Sequence, residues 1–168
     1  MTQPLELELL LEAFDRNARV NRAVLATLDM PVLAFEDGTG GFSIDQHLAD
    51  IVSFRREWLS TVSPEHAEQV PDPIDMDAPT WLAATSVAEL QAHFDAGDAA
   101  VRAAVRSAVN EGRRFVGAYA SNPAQLLVHC IVHDAHHRGQ VMALLRQSGR
   151  SAEVRERLEV ATWSIWRE

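Results

Sequence analysis

Four of the chain's seven histidines fall within nine residues, in the stretch His129-Cys-Ile-Val-His133-Asp-Ala-His136-His137-Arg-Gly-Gln140. Neutral imidazole is a common ligand for divalent metals. On a helix, residues four apart share a face with Cβ atoms about 5–6 Å apart. His133 and His137 can therefore reach one ion at about 2.0–2.1 Å from each nitrogen. Both share an angular sector with Leu126, Val141 and Leu144, which points them inward. His129, one turn before His133, is a candidate third ligand or a support for one. His136 is turned about a quarter turn away and reads as a surface hydrogen-bonding residue. Such a pair can also arise by chance on a packed helix face, but the density of histidines here favours metal. Two imidazoles do not make a tight site, so another helix must contribute. His47 and Asp50, three residues apart on an earlier helix, are the candidates. Otherwise His47 reads as a half-buried packing residue and Asp50 as a solvated edge charge. Cys130, on an apolar flank of the same stretch, reads as a core residue rather than a nucleophile.

The elements that must position these groups are all helical. A first helix is expected from about Pro4 to Leu28, with Leu7, Leu10, Leu11, Phe14, Ala18, Val24 and Leu28 at helical spacing, ended by Met30-Pro31. After the Gly-rich loop around Gly38–Gly41, Ser43-Ile-Asp-Gln46 reads as a capping box opening a second helix to about Leu59. Its apolar stripe is Ile44, Leu48, Ile51, Phe54 and Trp58. Residues 61–84 carry Pro64, Pro71, Pro73 and Pro79, the signature of a long crossover with one short helical turn. Ser86-Val-Ala-Glu89 opens a third helix to about Asn110, weakened in the middle by Gly97. Asn122-Pro123 starts the fourth, which ends near Gln147 before Gly149. Residues 151–166 read as a short C-terminal helix with Trp163 and Trp166 packing back. The expected fold is all-α: a single domain over 1–168, a four-helix bundle with a long crossover between its second and third helices.

Composition limits the partners. The formal charge is −9, and all 15 basic residues are arginine. A net-negative surface repels phosphate backbones, so no nucleic acid is expected. The pairs Arg55-Arg56, Arg113-Arg114 and Arg155/Arg157 read as solvated helix faces. No apolar run approaches the roughly 20 residues that span a bilayer, and the first residues lack a secretory pattern. A single cysteine excludes a disulfide framework and a Cys-rich zinc site. A cytoplasmic protein is the expectation.

The segment His129–Val141, ending His-x-x-x-His-His-Arg-Gly-Gln, resembles the DinB-like (DinB/YfiT-like) superfamily. The segment Ser43-Ile-Asp-Gln-His-Leu-Ala-Asp-Ile, followed by Trp58-Leu59, is similar to that family's second helix. The resemblance implies a four-helix bundle, a homodimer, and a divalent metal (Zn, Ni, Fe or Mn) held by three histidines. Two of these map to His133 and His137. The third stands in the family eight positions before the tryptophan, and here that position is Asp50 rather than His47. Either Asp50 replaces the imidazole, His47 substitutes from one turn earlier, or the site is weakened; the register favours Asp50.

The resemblance further implies a metal-dependent enzyme, such as an S-transferase using a low-molecular-weight thiol, or a hydrolase acting on a small-molecule substrate. Arg138 could orient an anionic substrate or simply form a salt bridge. The alternative is a non-catalytic stress- or damage-inducible protein whose metal is structural.

Overall fold

The computed structural model describes residues 4–78, 81–149 and 152–168. The described residues form seven helices: α1 Pro4–Leu25, α2 Met30–Leu33, α3 Ile44–Val62, α4 Pro64–Ala67, α5 Val87–Asn110, α6 Gln125–Gln147 and α7 Ala152–Arg167. The β-type pairing among the described residues is a single bridge, Ile74 to Leu82, inside the crossover. Pro79, counted in that crossover, lies outside the described residues. No described helix is long and apolar enough to cross a membrane.

The ends of the helices follow from local chemistry. α1 stops at Leu25, a turn short of Leu28, where tighter bonds take over (Thr27 N to Val24 O and Leu28 N to Leu25 O, both 3.0 Å). Met30-Pro31 does not merely end that helix. Asp29 caps a new turn, its Oδ1 accepting from Val32 N at 3.1 Å, and proline is tolerated in a first turn. The Ser43 capping box forms, with Gln46 Oε1 accepting from the Ser43 amide at 3.0 Å. Ser86 also caps α5, its Oγ accepting from Glu89 N at 3.1 Å. The Glu89 carboxylate, however, reaches back to the Thr85 amide at 2.8 Å, one residue earlier than expected. α6 starts at Gln125 rather than at Pro123. Asn122-Pro123-Ala124 forms a tight lead-in turn, with Gln125 N bonding to Asn122 O at 3.0 Å and Leu126 N to Pro123 O at 3.1 Å.

The four long helices bury the expected stripes. Leu7, Leu11, Phe14 and Val24 of α1 meet Ile44, Leu48 and Ile51 of α3, Leu90, Phe94, Val101 and Val105 of α5, and Leu126, Val141 and Leu144 of α6 in one core. α6 packs against both α1 and α3, and α5 packs against the same two helices. Packing brings the second and fourth long helices side by side, so residues 80–90 positions apart in sequence can share a site.

α7 lies on α1, fastened by Arg16 Nη1 to Ile165 O at 2.8 Å and Arg19 to Glu168 at 3.0 Å. Trp163 and Trp166 do not pack back as expected; they stay 61% and 38% exposed along a groove.

Arg55 departs most from expectation. It is not on a solvated face but fully buried. Its Nε donates to Asp98 Oδ1 at 2.7 Å, and its Nη1 and Nη2 fork onto the two oxygens of Asp134 at 2.9 and 2.7 Å. Nη1 also reaches Ile51 O at 2.7 Å. Asn17 and Asn21 of α1, both buried, donate their amides to the same Asp134 Oδ2 at 2.6 and 2.8 Å. Gly97 makes room for this network. A Cβ there would stand 2.8 Å from Arg55 Cδ, so its role is clearance rather than helix weakening.

Candidate metal centre

α3 and α6 bring three candidate donors together. The ligand atoms of Asp50, His133 and His137 all lie within 4.8 Å of one another. His137 Nε2 stands 3.0 Å and His133 Nε2 3.9 Å from Asp50 Oδ2. Around a tetrahedral ion with bonds of 2.0–2.1 Å, ligand atoms are roughly 3.3 Å apart. The observed separations bracket that figure, so small side-chain adjustments would close the shell.

The helix positions explain the convergence. His133 and His137 stand one turn apart on the edge of α6 that faces α3. Leu126, Val141 and Leu144, which share their sector, are buried, and so is His137. On α3, Asp50 adjoins the buried Ile51 and lies at the rim, with 41% of its side chain exposed against 9% for His137 and 18% for His133. The site therefore has a protein-filled side and an open side.

His47 sits behind His137. Their Nδ1 atoms are 3.0 Å apart, while the opposite nitrogen of His137 faces Asp50. The two candidates from α3 are thus separated by position: Asp50 faces His133 and His137 directly, and His47 contacts the far side of His137. In a neutral imidazole only one ring nitrogen carries hydrogen. The hydrogen bond to His47 therefore influences which nitrogen of His137 presents a lone pair towards Asp50.

Electrostatics suits a cation. The hydrogen bond from His137 holds the Asp50 carboxyl below the usual carboxylate range, against the opposing effect of burial. Burial, then the neighbouring His137, push His133 down to about 4, so its ring is neutral at neutral pH. The Phe54 ring lies over His133, centroids 3.9 Å apart and planes 19° from parallel, and excludes water from that face. His47 is likewise lowered, first by burial and then by His137. His133 Nδ1 is buried without a hydrogen-bond partner. Buried polar atoms are nearly always satisfied, and exceptions concentrate where a water or ion belongs. Nδ1 is the ring nitrogen that points away from Asp50; the carboxylate and the two imidazoles, with one ligand atom from each residue, are the donors that fit a divalent ion.

The remaining histidines of the motif are placed apart. His129 is exposed and does not join the group; its Nδ1 is hydrogen-bonded to Tyr119 Oη at 2.7 Å, and its ring meets Phe54 edge-on at 4.7 Å. His136 is exposed, edge-on to His137 at 5.2 Å. Cys130 is buried, and burial pushes its thiol up to about 12, which keeps it protonated and inert. Arg138 turns to α1, donating to Asn17 and Asn21 Oδ1 at 2.7 and 2.6 Å, and forms no salt bridge among the described residues.

A cleft of about 680 Å³ borders Asp50, between α3 and the crossover. Phe42 and Trp81 wall it on one side; Ser53, Arg56 and Glu57 of α3 line the other. Trp81 adopts φ +65°, a conformation that costs a non-glycine residue about 1–3 kcal/mol. The backbone around it holds through Asp75 N to Trp81 O at 3.2 Å and Ala83 N to Pro73 O at 3.0 Å. Sequence reasoning missed these walls, because aromatic residues in a proline-rich crossover carry no periodic signal. It also missed the Arg55 network, although Arg55 sits four residues after Ile51 on the apolar stripe of α3.

No curated protein and no solved structure matches the chain significantly. The family model described as DinB family does match, over residues 1–168, which is the whole length on which the helices and the α3–α6 donors are built; the chain belongs to the DinB family.

Proposed function

We propose that the protein holds one divalent ion through Asp50, His133 and His137 and is a metal-dependent enzyme acting on a small molecule, as a low-molecular-weight-thiol S-transferase or a hydrolase. The observation that carries this reading is the convergence of three donors beside an open cleft rather than inside the core. Catalytic metal sites keep a position open, whereas structural sites are closed by protein ligands. When bound, a divalent ion would supply Lewis-acid chemistry that favours a thiolate or hydroxide near neutral pH.

The chain's own residues then have distinct tasks. Asp50 remains ionised and brings negative charge to the open side. His133 stays neutral and is fixed in plane by Phe54. With an ion on Nε2, the proton of His137 would sit on Nδ1, where His47 can accept it; such outer contacts orient the ligand and sharpen its basicity. Phe42 and Trp81 give the substrate an apolar wall and narrow the access of water.

The decisive experiment is a metal analysis of protein purified without a histidine tag, followed by thiol-consumption and ester-hydrolysis assays on the loaded and stripped forms. About one ion per chain, with turnover that depends on it, is expected. A second reading is favoured by Asp50, which stands where the family resemblance expects histidine: a non-catalytic stress protein whose metal is structural. In that case stripping the metal lowers the melting temperature and neither assay responds.

The same reading includes a four-helix bundle formed by α1, α3, α5 and α6, a homodimer, and a cytoplasmic location. It includes no affinity for nucleic acid, supported by the net charge of −9.

A further inference from the structure

Arg138 takes no part in the α3–α6 site, and its surroundings suit a different ligand. Asn17 and Asn21 hold its Nη1 through their carbonyl oxygens. The nearby carboxylate, Asp134, is already engaged by the Arg55 fork and by the amides of the same two asparagines. Among the described residues, the Nε–Nη2 edge of Arg138 meets no acceptor, and neither atom is among the fully enclosed orphans. This is the edge of a guanidinium that grips a carboxylate with two parallel hydrogen bonds.

Arg138 lines a groove of about 580 Å³ between α6 and α7, floored by α1. On the α6 side, Ala135 and Gly139 stand one turn apart and leave the space; a Cβ on Gly139 would meet nothing within 4 Å. Met142 and Val24 continue the apolar lining, and Trp163 and Trp166 of α7 form the opposite wall. The other charges in the groove, Arg146 and Glu159, pair with each other at 2.8 Å. Arg138 is left as the net charge, and burial strips much of its hydration.

We propose that this groove binds a small amphipathic carboxylate, with its head on the Nε–Nη2 edge of Arg138 and its apolar body between Ala135–Gly139 and the two tryptophans. A single guanidinium matches a monoanion; a phosphate dianion would need further donors and would be repelled by a chain of net charge −9. The volume is that of a small-molecule pocket, and anionic membranes are recognised by clusters of basic residues, whereas the described lining carries only Arg138 and the paired Arg146. The proposal does not depend on the metal reading.

The test is titration of the full-length protein with decanoate, 1-decanol and decylammonium below their aggregation limits, read by tryptophan emission and calorimetry. Decanoate should bind with 1:1 stoichiometry, 1-decanol at least tenfold more weakly, and decylammonium not at all. Gly139→Leu fills the groove on an exposed helix face and should abolish binding without loss of stability. Arg138→Gln should reduce decanoate to the affinity of the alcohol. His137→Ala should leave the decanoate affinity unchanged, which separates this groove from the metal centre. Equal affinity for acid and alcohol, or undiminished binding by Gly139→Leu, would overturn the proposal. So would tryptophan emission that responds to protein concentration but not to decanoate, since the groove would then be covered by a second copy.

Discussion

α3 and α6 face each other twice with polar groups, and the two encounters have opposite characters. Towards the core, Arg55 and Asp134 form a fork completed by Asp98, Asn17 and Asn21, with almost no solvent access. Towards the rim, Asp50, His47, His133 and His137 gather with one nitrogen unpartnered and the carboxylate 41% exposed. In the buried network, donors and acceptors answer one another. Arg55 is raised well above its ordinary value because Asp134 and Asp98 outweigh the opposing effect of burial. Asp134, with the fork and two amides, is lowered despite burial, while Asp98, with a single contact from Arg55, is raised by burial. The rim cluster is unsatisfied by protein alone. A saturated network fixes how two helices meet; an unsaturated one beside a cleft is where a ligand can add something.

The contrast can be broken by mutation. The largest effect is expected for Arg55→Met, which removes the counter-charge of two buried carboxylates and should cost about 3–5 kcal/mol in chemical unfolding. His133→Ala with His137→Ala should abolish tight metal binding, yet change the stability of the metal-free protein far less. If the double variant unfolds as readily as Arg55→Met, the two regions do not differ in the way described.

Gly97→Ala should destabilise by about 1–3 kcal/mol through the clash with Arg55 Cδ, although alanine favours helix by about 1 kcal/mol in an open position. An unchanged or raised denaturation midpoint would show that Arg55 can move aside.

Within the rim cluster, Asp50→Ala should weaken every metal, and by more than the roughly 10–100-fold expected of an outer partner such as His47 in His47→Ala. Asp50→His should raise zinc affinity relative to manganese, since carboxylate suits the harder ion. Calorimetric metal titrations would reverse the assignment if His47→Ala strips the ion and Asp50→Ala retains it.

The last effect concerns pH. His133 sits at about 4 in the fold against 6.5 in its ordinary state. Between those values the unfolded chain binds more protons, so metal-free stability is full above pH 6.5 and is lost as pH falls towards about 4. Urea midpoints of His133→Gln should show a shallower decline over that window.

Much of the site was legible because helical periodicity is geometric. The spacing of His133 and His137 fixed their shared face, whereas the preference for Asp50 over His47 came from the family resemblance, counted back from Trp58. The helix stripes and both serine caps were likewise readable. What was not readable depends on contacts between helices. Arg55 read as surface because a charged residue on an apolar stripe declares no partner, and Asp98, Asp134, Asn17 and Asn21 are scattered across three other helices. Trp163 and Trp166 were expected inside on hydrophobicity alone, while the docking of α7 leaves them largely exposed along the groove.

The clearance between Gly97 and Arg55 bears on descent as well as on stability. An arginine that fills the space of a missing methyl group ties two positions on different helices into one inherited unit. A lineage that replaces the arginine with a smaller apolar residue frees the glycine to change, whereas one that changes the glycine first passes through a clash. Among relatives, larger residues at the glycine position should therefore occur where the arginine has already been lost, and an arginine facing a bulky neighbour there should be rare.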